Sequence, residues 1–419
     1  MIRTLPFLFS LMAATLAGAE FKVIGYFPSW HGEVRDIPFS KLTHVNFSFA
    51  QVGFGGTVEA PAMGKLRELV QRAHAQGVKV GIAVGGWNDG DATPFEAMSA
   101  KPATRANFVK SAVAFCQAQN VDGIDIDWEY PVAASAANYA ALMKELGEAL
   151  HKQGKYLSTA VIAKGDQYGA HVQSPVFAAI DMLNIMAYDF QHEYPSHSPF
   201  ELATASLDYW LKRGCPPEKA MLGVPFYGRS PETPYRDLVR QDAQAANKDQ
   251  VGACFYNGAP TMVKKAVLAH EKAGGIMIWE ISQDAAGKGS LLEAIHQQVL
   301  AWKNPASQGP GTAAPDTAID YDAEDDPLAP AVPPPPPPPD ALQVLAPDLI
   351  RLMAPAMGDY TLRILSGAGA VVYEKTLMAK DAGKLDFRWI GRRLPAGKYS
   401  AVVEGDDVNL TKAFQLPLR

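Results

Sequence analysis

Eight short apolar runs constrain the fold of this 419-residue chain more than any other feature. Stretches with a helical pattern alternate with them, and the connections after the first and fifth runs carry weaker helical patterns. Nearly continuous apolar strands are typical of parallel sheets covered by helices. The strand candidates are Phe21–Phe27, Thr43–Ala50, Val78–Val84, Val121–Glu129, Tyr156–Ala163, Met182–Asp189, Met221–Tyr227 and Gly275–Ile281.

This alternation predicts an α/β fold in which residues 20–304 form a (β/α)8 TIM barrel. The alternative is a doubly wound parallel sheet. The chain has no Gly-x-Gly-x-x-Gly after its first strand, which argues against a dinucleotide-binding version of that alternative. The helix candidates are Pro61–Gln76, Ala103–Gln119, Ser135–Gln153, Leu202–Arg213, Thr261–Lys272 and Gly289–Trp302.

The N-terminal residues 1–19 have the pattern of a signal peptide. Arg3 precedes the apolar run Leu5–Leu16, and Ala17-Gly18-Ala19 offers a small-x-small cleavage site before Glu20. The run is too short to span a bilayer. We therefore expect a secreted protein, either extracellular or periplasmic.

The composition changes after the barrel. Residues 305–341 are rich in Pro, Ala, Gly and acids and end in the run Pro333–Pro339, which indicates a linker. Residues 342–419 show short strand patterns separated by turn signals, with Tyr373 and Trp389 among them. This pattern predicts a small all-β accessory domain, an immunoglobulin-like sandwich.

The segment Asp122–Pro131 carries the chemistry, because it places four acids within eight positions of a strand. Side chains alternate across a strand, so Asp125, Asp127 and Glu129 share one face while Asp122 stands at the start. Carboxyl groups at so short a distance from one another resist joint ionisation, so at least one of them should keep its proton near neutral pH. A protonated carboxyl is what a general acid requires.

These acids have three other interpretations. A solvated strand face conflicts with the Ile and Trp residues on the opposite face. A metal site lacks the glycine of a calcium loop and a nearby His pair, so we predict neither metal nor cofactor. A binding protein that has lost catalysis is disfavoured because the last acid, Glu129, is present.

The pattern Asp-x-x-Asp-x-Asp-x-Glu followed by Tyr-Pro resembles the signature of glycoside hydrolase family 18, the chitinases. The resemblance covers about residues 21–303. It recurs in Met186-Ala187-Tyr188-Asp189, in Trp279 near the end of the last strand, and in Gly85-Gly86-Trp87. Weaker matches lie around Tyr26, around Phe49, and in the segment from Gly223 to Arg229.

The resemblance implies a role for each matched residue. Glu129 protonates the leaving oxygen, and Asp127 contacts the acetamido group of the substrate, whose own oxygen attacks the anomeric carbon. Asp125 shares a proton with Asp127, and Tyr188 donates to the acetamido oxygen. Asp122 is expected to be structural. The expected sugar contacts are Trp279, Met186, Asp189, Tyr26, Phe49, Gly86, Trp87, Tyr227 and Arg229, with Trp30 as a further aromatic platform.

Two departures from the family pattern carry predictions. Ala83 stands where the family has a serine near the carboxyl groups, so the hydroxyl expected there is missing. Relatives with deep tunnels insert an α+β subdomain before the last strand, whereas here about 45 residues separate Arg229 from Gly274. A shallow groove and internal cleavage of chains are therefore expected.

The predicted partner is chitin or chitooligosaccharides, bound by a monomer. The net charge of −6 gives no electrostatic case for nucleic acid or for an anionic membrane. One alternative function is an endo-β-N-acetylglucosaminidase that acts on glycoprotein glycans. The other is a non-catalytic chitin-binding lectin, against which Glu129 argues.

Overall fold

The structure of the protein is a computed structural model that describes residues 20–242, 244–303, 342–346, 349–354, 358–367, 371–379, 383–388, 397–405 and 408–416. The predicted signal peptide, the predicted linker and Trp389 lie outside these ranges. The chain divides into two compact units, Met1–Asp326 and Pro327–Arg419.

The first unit contains eight parallel strands that close into a barrel, which confirms the predicted TIM barrel. Neighbouring strands pair in chain order from β1 to β8, and β8 pairs with β1 to close the ring. The strands are β1 (Lys22–Pro28), β2 (His44–Val52), β3 (Lys79–Gly86), β4 (Gly123–Trp128), β5 (Tyr156–Ile162), β6 (Met182–Met186), β7 (Ala220–Pro225) and β8 (Gly275–Trp279).

Helices surround this barrel, and six of them match the predicted amphipathic stretches. The connection after β1 forms two 3₁₀ turns, and the one after β5 holds a 3₁₀ turn and one short helix; both are connections where the sequence pattern was weak. The helices are α1 (Met63–His74), α2 (Thr93–Ser99), α3 (Pro102–Gln119), α4 (Ala136–His151), α5 (Ser174–Ala179), α6 (Phe200–Lys212), α7 (Tyr235–Gln241), α8 (Ala259–Lys272) and α9 (Leu291–Lys303).

The two faces of β4 show how the alternation of side chains separates two environments. Trp128 points outward, where its ring stacks on Phe95 at 5.1 Å between centroids and meets Tyr139 of α4 edge-on. Asp125 points into the barrel, where it contacts side chains from three other strands. The outer face of β4 therefore stabilises the fold by packing against the helices, and the inner face carries the polar groups.

The connection between β7 and β8 contains few secondary-structure elements. Besides α7 and α8, its described residues form two small ladders, one joining Tyr227–Gly228 to Thr233–Pro234 and the other joining Gln250–Val251 to Cys254–Phe255. Within the described part of the chain, no helix is both long and apolar enough to cross a membrane.

The second unit consists of antiparallel strands in two sheets, ordered β9-β10-β13 and β12-β11-β14-β15. The first two strands and the last were not predicted, whereas the other four match the predicted runs Thr361–Leu365, Val371–Thr376, Leu385–Trp389 and Lys398–Glu404. The immunoglobulin-like arrangement stays a prediction. The strands are β9 (Leu342–Ala346), β10 (Leu349–Ala354), β11 (Gly358–Ser366), β12 (Val371–Ala379), β13 (Gly383–Arg388), β14 (Gly397–Gly405) and β15 (Val408–Leu416).

Candidate active site

Most of the predicted site residues lie at the carboxyl ends of the barrel strands or just beyond them. Asp125 and Asp127 are the third and fifth of the six residues of β4, and Glu129 follows its last residue. Tyr188 and Asp189 follow β6, and Trp279 ends β8. Because parallel strands end at the same rim of a barrel, these side chains meet although they are far apart in sequence.

Asp125 is fully buried, and both of its carboxylate oxygens accept hydrogen bonds. Ser158 Oγ and Asn184 Nδ2 donate to Oδ1 at 2.6 and 3.0 Å, and the Tyr26 hydroxyl donates to Oδ2 at 2.5 Å. Burial raises the pKa of Asp125 above its ordinary value, while the hydrogen bonds from Ser158, Tyr26 and Asn184 oppose the rise. The three donors stabilise the ionised form of this carboxyl.

Asp127 differs from Asp125 in its surroundings. It is 3% exposed, and its buried Oδ1 has no hydrogen-bond partner among the described residues. Burial, then the charges of Glu129 and Asp125, raise the pKa of Asp127 well above its ordinary value. Asp125 and Asp127 are therefore expected to titrate as a coupled pair that resists joint ionisation.

Glu129 is partly exposed at the mouth of the barrel and hydrogen-bonds to the neighbouring Tyr130. Burial of the carboxyl raises the pKa of Glu129 from 4.5 to about 7, the Tyr130 hydrogen bond opposes the rise, and the charge of Asp189 adds to it. The ring of Tyr130 stacks on Tyr168 at 4.9 Å, which fixes its position. A carboxyl that still holds its proton near neutral pH can act as a general acid.

Tyr188 lies inside the mouth, close to the acids. Its hydroxyl donates to Met277 Sδ at 3.8 Å, and its ring meets the ring of Tyr227 edge-on at 6.3 Å. Burial, then the charges of Asp127 and Asp189, raise the pKa of Tyr188 well above 10.0. The hydroxyl therefore remains a donor over the working range of a protein. Met186, two residues earlier, is partly buried against the same cluster.

Asp189 and Arg229 form a two-pronged ion pair, with Nε and Nη2 each 2.7 Å from a carboxylate oxygen. Arg229 also pairs with Glu232, and its guanidinium lies 5.3 Å from the centre of the Tyr227 ring. Burial opposes ionisation of Asp189, but hydrogen bonds from His197 and Arg229 hold its pKa well below the usual range. Asp189 therefore stays charged beside Glu129.

A buried lysine holds the segment that carries Tyr188. Lys265 Nζ on α8 donates to Ser198 Oγ at 2.8 Å, and Ser198 Oγ donates to the carbonyl of Ala187 at 2.7 Å. Asn257 Oδ1 accepts a further hydrogen bond from Lys265 at 2.6 Å. Burial lowers the pKa of Lys265 to about 7. These contacts connect helix α8 to the peptide immediately before Tyr188.

Aromatic rings line the floor of the mouth. Trp279 stacks on Phe49 at 5.4 Å, and Trp30 lies 6.5 Å from Trp279. Gly86 allows the stack, because a Cβ there would lie 2.7 Å from the Phe49 ring and its φ of +87° suits glycine. Tyr26 is only 1% exposed and is engaged with Asp125, so its position suits a contact with the carboxyl better than a stacked sugar.

A small, partly open cleft lies beside Glu129. Its walls come from the ends of β2 and β3 and from the loop after β3, and include Gln51, Gly86, Asn88 and Asp91. Trp87, in the same loop, is 60% exposed. Aromatic faces of this kind bury the apolar C–H face of a sugar ring.

Asp122 lies at the opposite end of β4, away from the mouth. Its Oδ2 accepts hydrogen bonds from the backbone N–H of Val80 at 2.8 Å and is 2.7 Å from His74 Nε2. These contacts join the start of β4 to β3 and to helix α1.

Sequence reasoning missed several residues at this site. Ser158 and Asn184 contact Asp125, and His197 contacts Asp189, but each comes from a different strand or loop. Only the alternation of side chains along β5 and β6 could have assigned Ser158 and Asn184 to the inner face. Among the described residues, no cluster of three or more His, Cys, Asp or Glu side chains is arranged to hold a metal.

The fold and the site define a class of proteins: parallel barrels whose mouth holds stacked carboxyl groups above an aromatic floor. The family model for glycosyl hydrolases family 18 matches residues 22–284. The chain therefore belongs to glycosyl hydrolases family 18.

Three curated relatives are 27–30% identical to this chain over the aligned residues. Probable chitinase 10 of Drosophila melanogaster is 30% identical over 51% of this chain and 11% of its own length. Chitinase A1 of Niallia circulans is 28% identical over 53% of this chain and 44% of its own. Chitinase 1 of Aphanocladium album is 27% identical over 67% and 86%. The chain thus spans less than half the length of the first two.

Solved structures share the barrel. The family 18 chitinase ChiB of Flavobacterium johnsoniae is 31% identical, with a TM-score of 0.62 over 68% of this chain and 96% of that one. A chitinase-like agglutinin of Robinia pseudoacacia has a TM-score of 0.58 at 22% identity, over 65% of this chain and 98% of that one. The second likeness concerns the fold alone.

Proposed function

We propose that the protein is a secreted chitinase that hydrolyses β-1,4 linkages between N-acetylglucosamine units with retention of configuration. The observation that carries the proposal is the position of Glu129. It is a carboxyl with a pKa of about 7, partly exposed at the barrel mouth and adjacent to two buried acids on the same strand. Membership of the family and the chitinases among its relatives support the substrate.

Geometry supports catalysis assisted by the substrate. Asp125, Asp127 and Glu129 approach a bound sugar from one side, because they project from one face of β4 and its extension. A second carboxyl on the opposite side, as in glycosidases with two flanking acids, is not supplied by this strand. The 2-acetamido oxygen of the substrate then attacks the anomeric carbon while Glu129 donates its proton to the leaving oxygen.

The neighbouring groups stabilise the oxazolinium intermediate formed in this way. Asp127 accepts a hydrogen bond from the acetamido N–H and offsets the positive charge, and Tyr188 donates to the acetamido oxygen before and during attack. Glu129, now ionised, removes a proton from water, and that water opens the intermediate with retention. Asp125 shares a proton with Asp127 and orients it.

The aromatic floor and the short β7–β8 connection support an open groove and cleavage within chains. Trp279 is proposed to stack under the distorted sugar, with Phe49 behind it and Trp30 and Trp87 as further platforms. Arg229 and Asp189 are proposed to shape the pocket wall beside Tyr227. Such a groove can bind sugar units on both sides of the cleaved linkage, because the polymer can pass through it.

The wider organisation is proposed from the sequence. Residues 1–19 are the signal peptide, 20–304 the catalytic barrel, 305–341 the linker and 342–419 an accessory domain of immunoglobulin-like type. The protein is proposed to act as a monomer on chitin outside the cytoplasm, without cofactor and without binding nucleic acid or membranes.

Mass analysis of products tests the function. The full chain is incubated in parallel with N-acetylglucosamine hexamer, with the de-N-acetylated hexamer and with a high-mannose glycoprotein. We expect internal cleavage of the acetylated hexamer and no cleavage of the deacetylated one, because the acetamido oxygen is the nucleophile. Release of glycans with no action on the hexamer would favour the endo-β-N-acetylglucosaminidase, and binding without turnover would favour the lectin.

A further inference from the structure

Lys265 takes no part in the proposed chemistry, yet it lies behind a residue that does. Its side chain is 0% exposed and projects from helix α8, which leads into β8. Its Nζ donates to the carbonyl of Ser198 at 2.7 Å, to Ser198 Oγ at 2.8 Å and to Asn257 Oδ1 at 2.6 Å. All three acceptors are neutral groups.

A buried ammonium group costs stability, which makes the position of this lysine informative. Transfer of a charge out of water is costly, and a methionine of similar length would fill the same space without that cost. Burial lowers the pKa of Lys265 to about 7, although the charges of Asp249 and Glu201 oppose the shift. Groups of this kind are concentrated at sites where they act.

The charged lysine fixes the direction of one hydroxyl. An ammonium group has three donors and no acceptor, so Ser198 Oγ accepts from Lys265 and must donate elsewhere. It donates to the carbonyl of Ala187 at 2.7 Å, and the nitrogen of that peptide bond belongs to Tyr188. Hydrogen bonds in such a chain polarise and strengthen one another. We call this chain of contacts, from Lys265 through Ser198 to Ala187, the lysine relay.

The loop that the lysine relay holds has a costly backbone conformation. Asp189 and His197 have φ values of +56° and +46°, in the left-handed region that residues other than glycine adopt at a cost. The N–H of Phe190 donates to the carbonyl of His197 at 3.2 Å, which brings the two ends of the loop together. The lysine relay then joins both ends to helix α8.

We propose that Lys265 is a positioning residue that holds the hydroxyl of Tyr188 in place for the acetamido group, through Ser198 and the carbonyl of Ala187. That hydroxyl contacts Met277 Sδ at 3.8 Å, and a thioether is a weak acceptor, so its position depends on the backbone that carries it. The inference rests on the proposed function, in which Tyr188 donates to the acetamido oxygen. Loss of Lys265 should therefore lower kcat more than it changes KM.

The test breaks the lysine relay at two points. Lys265→Met removes the donors and keeps the length of the side chain, and Ser198→Ala removes the intermediate hydroxyl. Each variant is made alone and combined with Tyr188→Phe, which lacks the hydroxyl to be positioned. All are assayed for kcat and KM on N-acetylglucosamine hexamer, at a pH below about 7, where Lys265 is charged.

Two matched controls carry the same substitutions away from the mouth. Lys219 donates to the carbonyls of Phe177 at 2.8 Å and Ile180 at 2.6 Å, so it holds the segment before β6 as Lys265 holds the segment after it. Ser206 is fully buried and donates to the carbonyl of Leu202 in α6 at 2.7 Å. Lys219→Met and Ser206→Ala should keep kcat within about twofold of the wild type.

We expect Lys265→Met and Ser198→Ala each to lower kcat roughly tenfold, since a small displacement of a contact to the reacting group is costly. In the Tyr188→Phe background either change should alter kcat by less than about twofold, because no hydroxyl is left to position. An equal loss in both backgrounds would show a merely structural role and overturn the proposal. Wild-type kcat in either single variant would overturn it as well. If Lys265→Met does not fold, Ser198→Ala decides, because the proposal acts through that hydroxyl.

A signal from Tyr188 itself separates this inference from the proposed function. A fluorinated tyrosine is incorporated at position 188, and fluorine NMR spectra are recorded without substrate. We expect one narrow resonance in the wild type and in Lys219→Met, and a shifted or broadened one in Lys265→Met and Ser198→Ala. If the wild type cleaves no hexamer, the proposed function fails. The positioning of Tyr188 then stands on this signal, and a resonance that Lys265→Met and Ser198→Ala leave unchanged would overturn it.

Discussion

The two ends of the barrel place aspartates in opposite hydrogen-bonding environments. At the amino ends of the strands, Asp122 accepts from the N–H of Val80 and contacts a histidine at 2.7 Å. Asp181, just before β6, repeats the arrangement with the N–H of Leu157 at 2.8 Å and a histidine at 2.9 Å. At the carboxyl ends, Asp127 is buried with an oxygen that has no partner among the described residues.

The difference teaches how one fold separates stability from chemistry. Carboxylates satisfied by backbone donors fasten neighbouring strands together and have nothing left to offer a substrate. A buried carboxyl without donors costs stability, and folds retain such groups mainly at sites where the group acts. The carboxyl ends of barrel strands are where catalytic groups are found, and the amino ends serve stability.

The largest expected effect is on Glu129. Glu129→Gln keeps the shape of the side chain but removes the transferable proton, so turnover on the hexamer should fall roughly 10³-fold with binding retained. Glu148→Gln, the same change on the exposed face of α4, is the matched control and should act like the wild type. Near-normal hydrolysis by Glu129→Gln would remove the basis of the functional assignment.

A smaller effect on turnover, coupled to a gain in stability, is expected for Asp127→Asn. Loss of the carboxylate that offsets positive charge should lower kcat roughly 10²-fold. The protein should also melt at a higher temperature, because the neutral amide removes a buried acid crowded by Asp125 and Glu129. Unchanged kcat, or a lower melting temperature, would contradict the contrast between the two ends.

The amino end should show the reverse pattern. Asp122→Asn and Asp181→Asn each weaken the contact with a backbone N–H and a histidine, so each should cost about 1 kcal/mol of unfolding free energy. Turnover should stay within about twofold of the wild type, since neither residue lies at the mouth. Chemical denaturation and hexamer assays of both variants measure the two quantities. A large loss of turnover without loss of stability would show that this end takes part in catalysis.

The smallest expected effect is on the pH dependence of stability, which should differ between the wild type and Glu129→Gln in a definite direction. The folded state binds the Glu129 proton more tightly than the unfolded chain does, since its pKa rises from 4.5 to about 7. The stabilisation is full below 4.5 and is lost as the pH rises through about 7. Asp284, whose pKa burial raises to about 6, acts in the same direction in every variant. The melting temperature of Glu129→Gln should therefore fall less than that of the wild type over this range, and identical slopes would refute the raised pKa.

The sequence predicted the barrel and the acid strand because both depend on local patterns. Alternation within Asp122–Pro131 correctly assigns Trp128 to the outer face and Asp125 to the inner one. The helices α2 and α7 were missed, since seven residues are too few to show a period. The strands β9, β10 and β15 were missed as well.

The contacts of the acids could not be predicted in the same way. The donors to Asp125 come from β1, β5 and β6, which lie 99, 33 and 59 residues away in sequence. Which donors meet at a carboxyl depends on the register of the closed sheet, and no local pattern encodes that register. The burial that sets the pKa of Glu129 likewise arises only when the barrel closes.

The most direct measurement is a titration of the Glu129 carboxyl by infrared difference spectroscopy, comparing the wild type with Glu129→Gln. A protonated carboxyl band that is present in the wild type and disappears with a midpoint near pH 7 is the predicted result. A midpoint close to 4.5, the value of an ordinary glutamic acid, would contradict it, because Glu129 would then have no proton to donate at neutral pH.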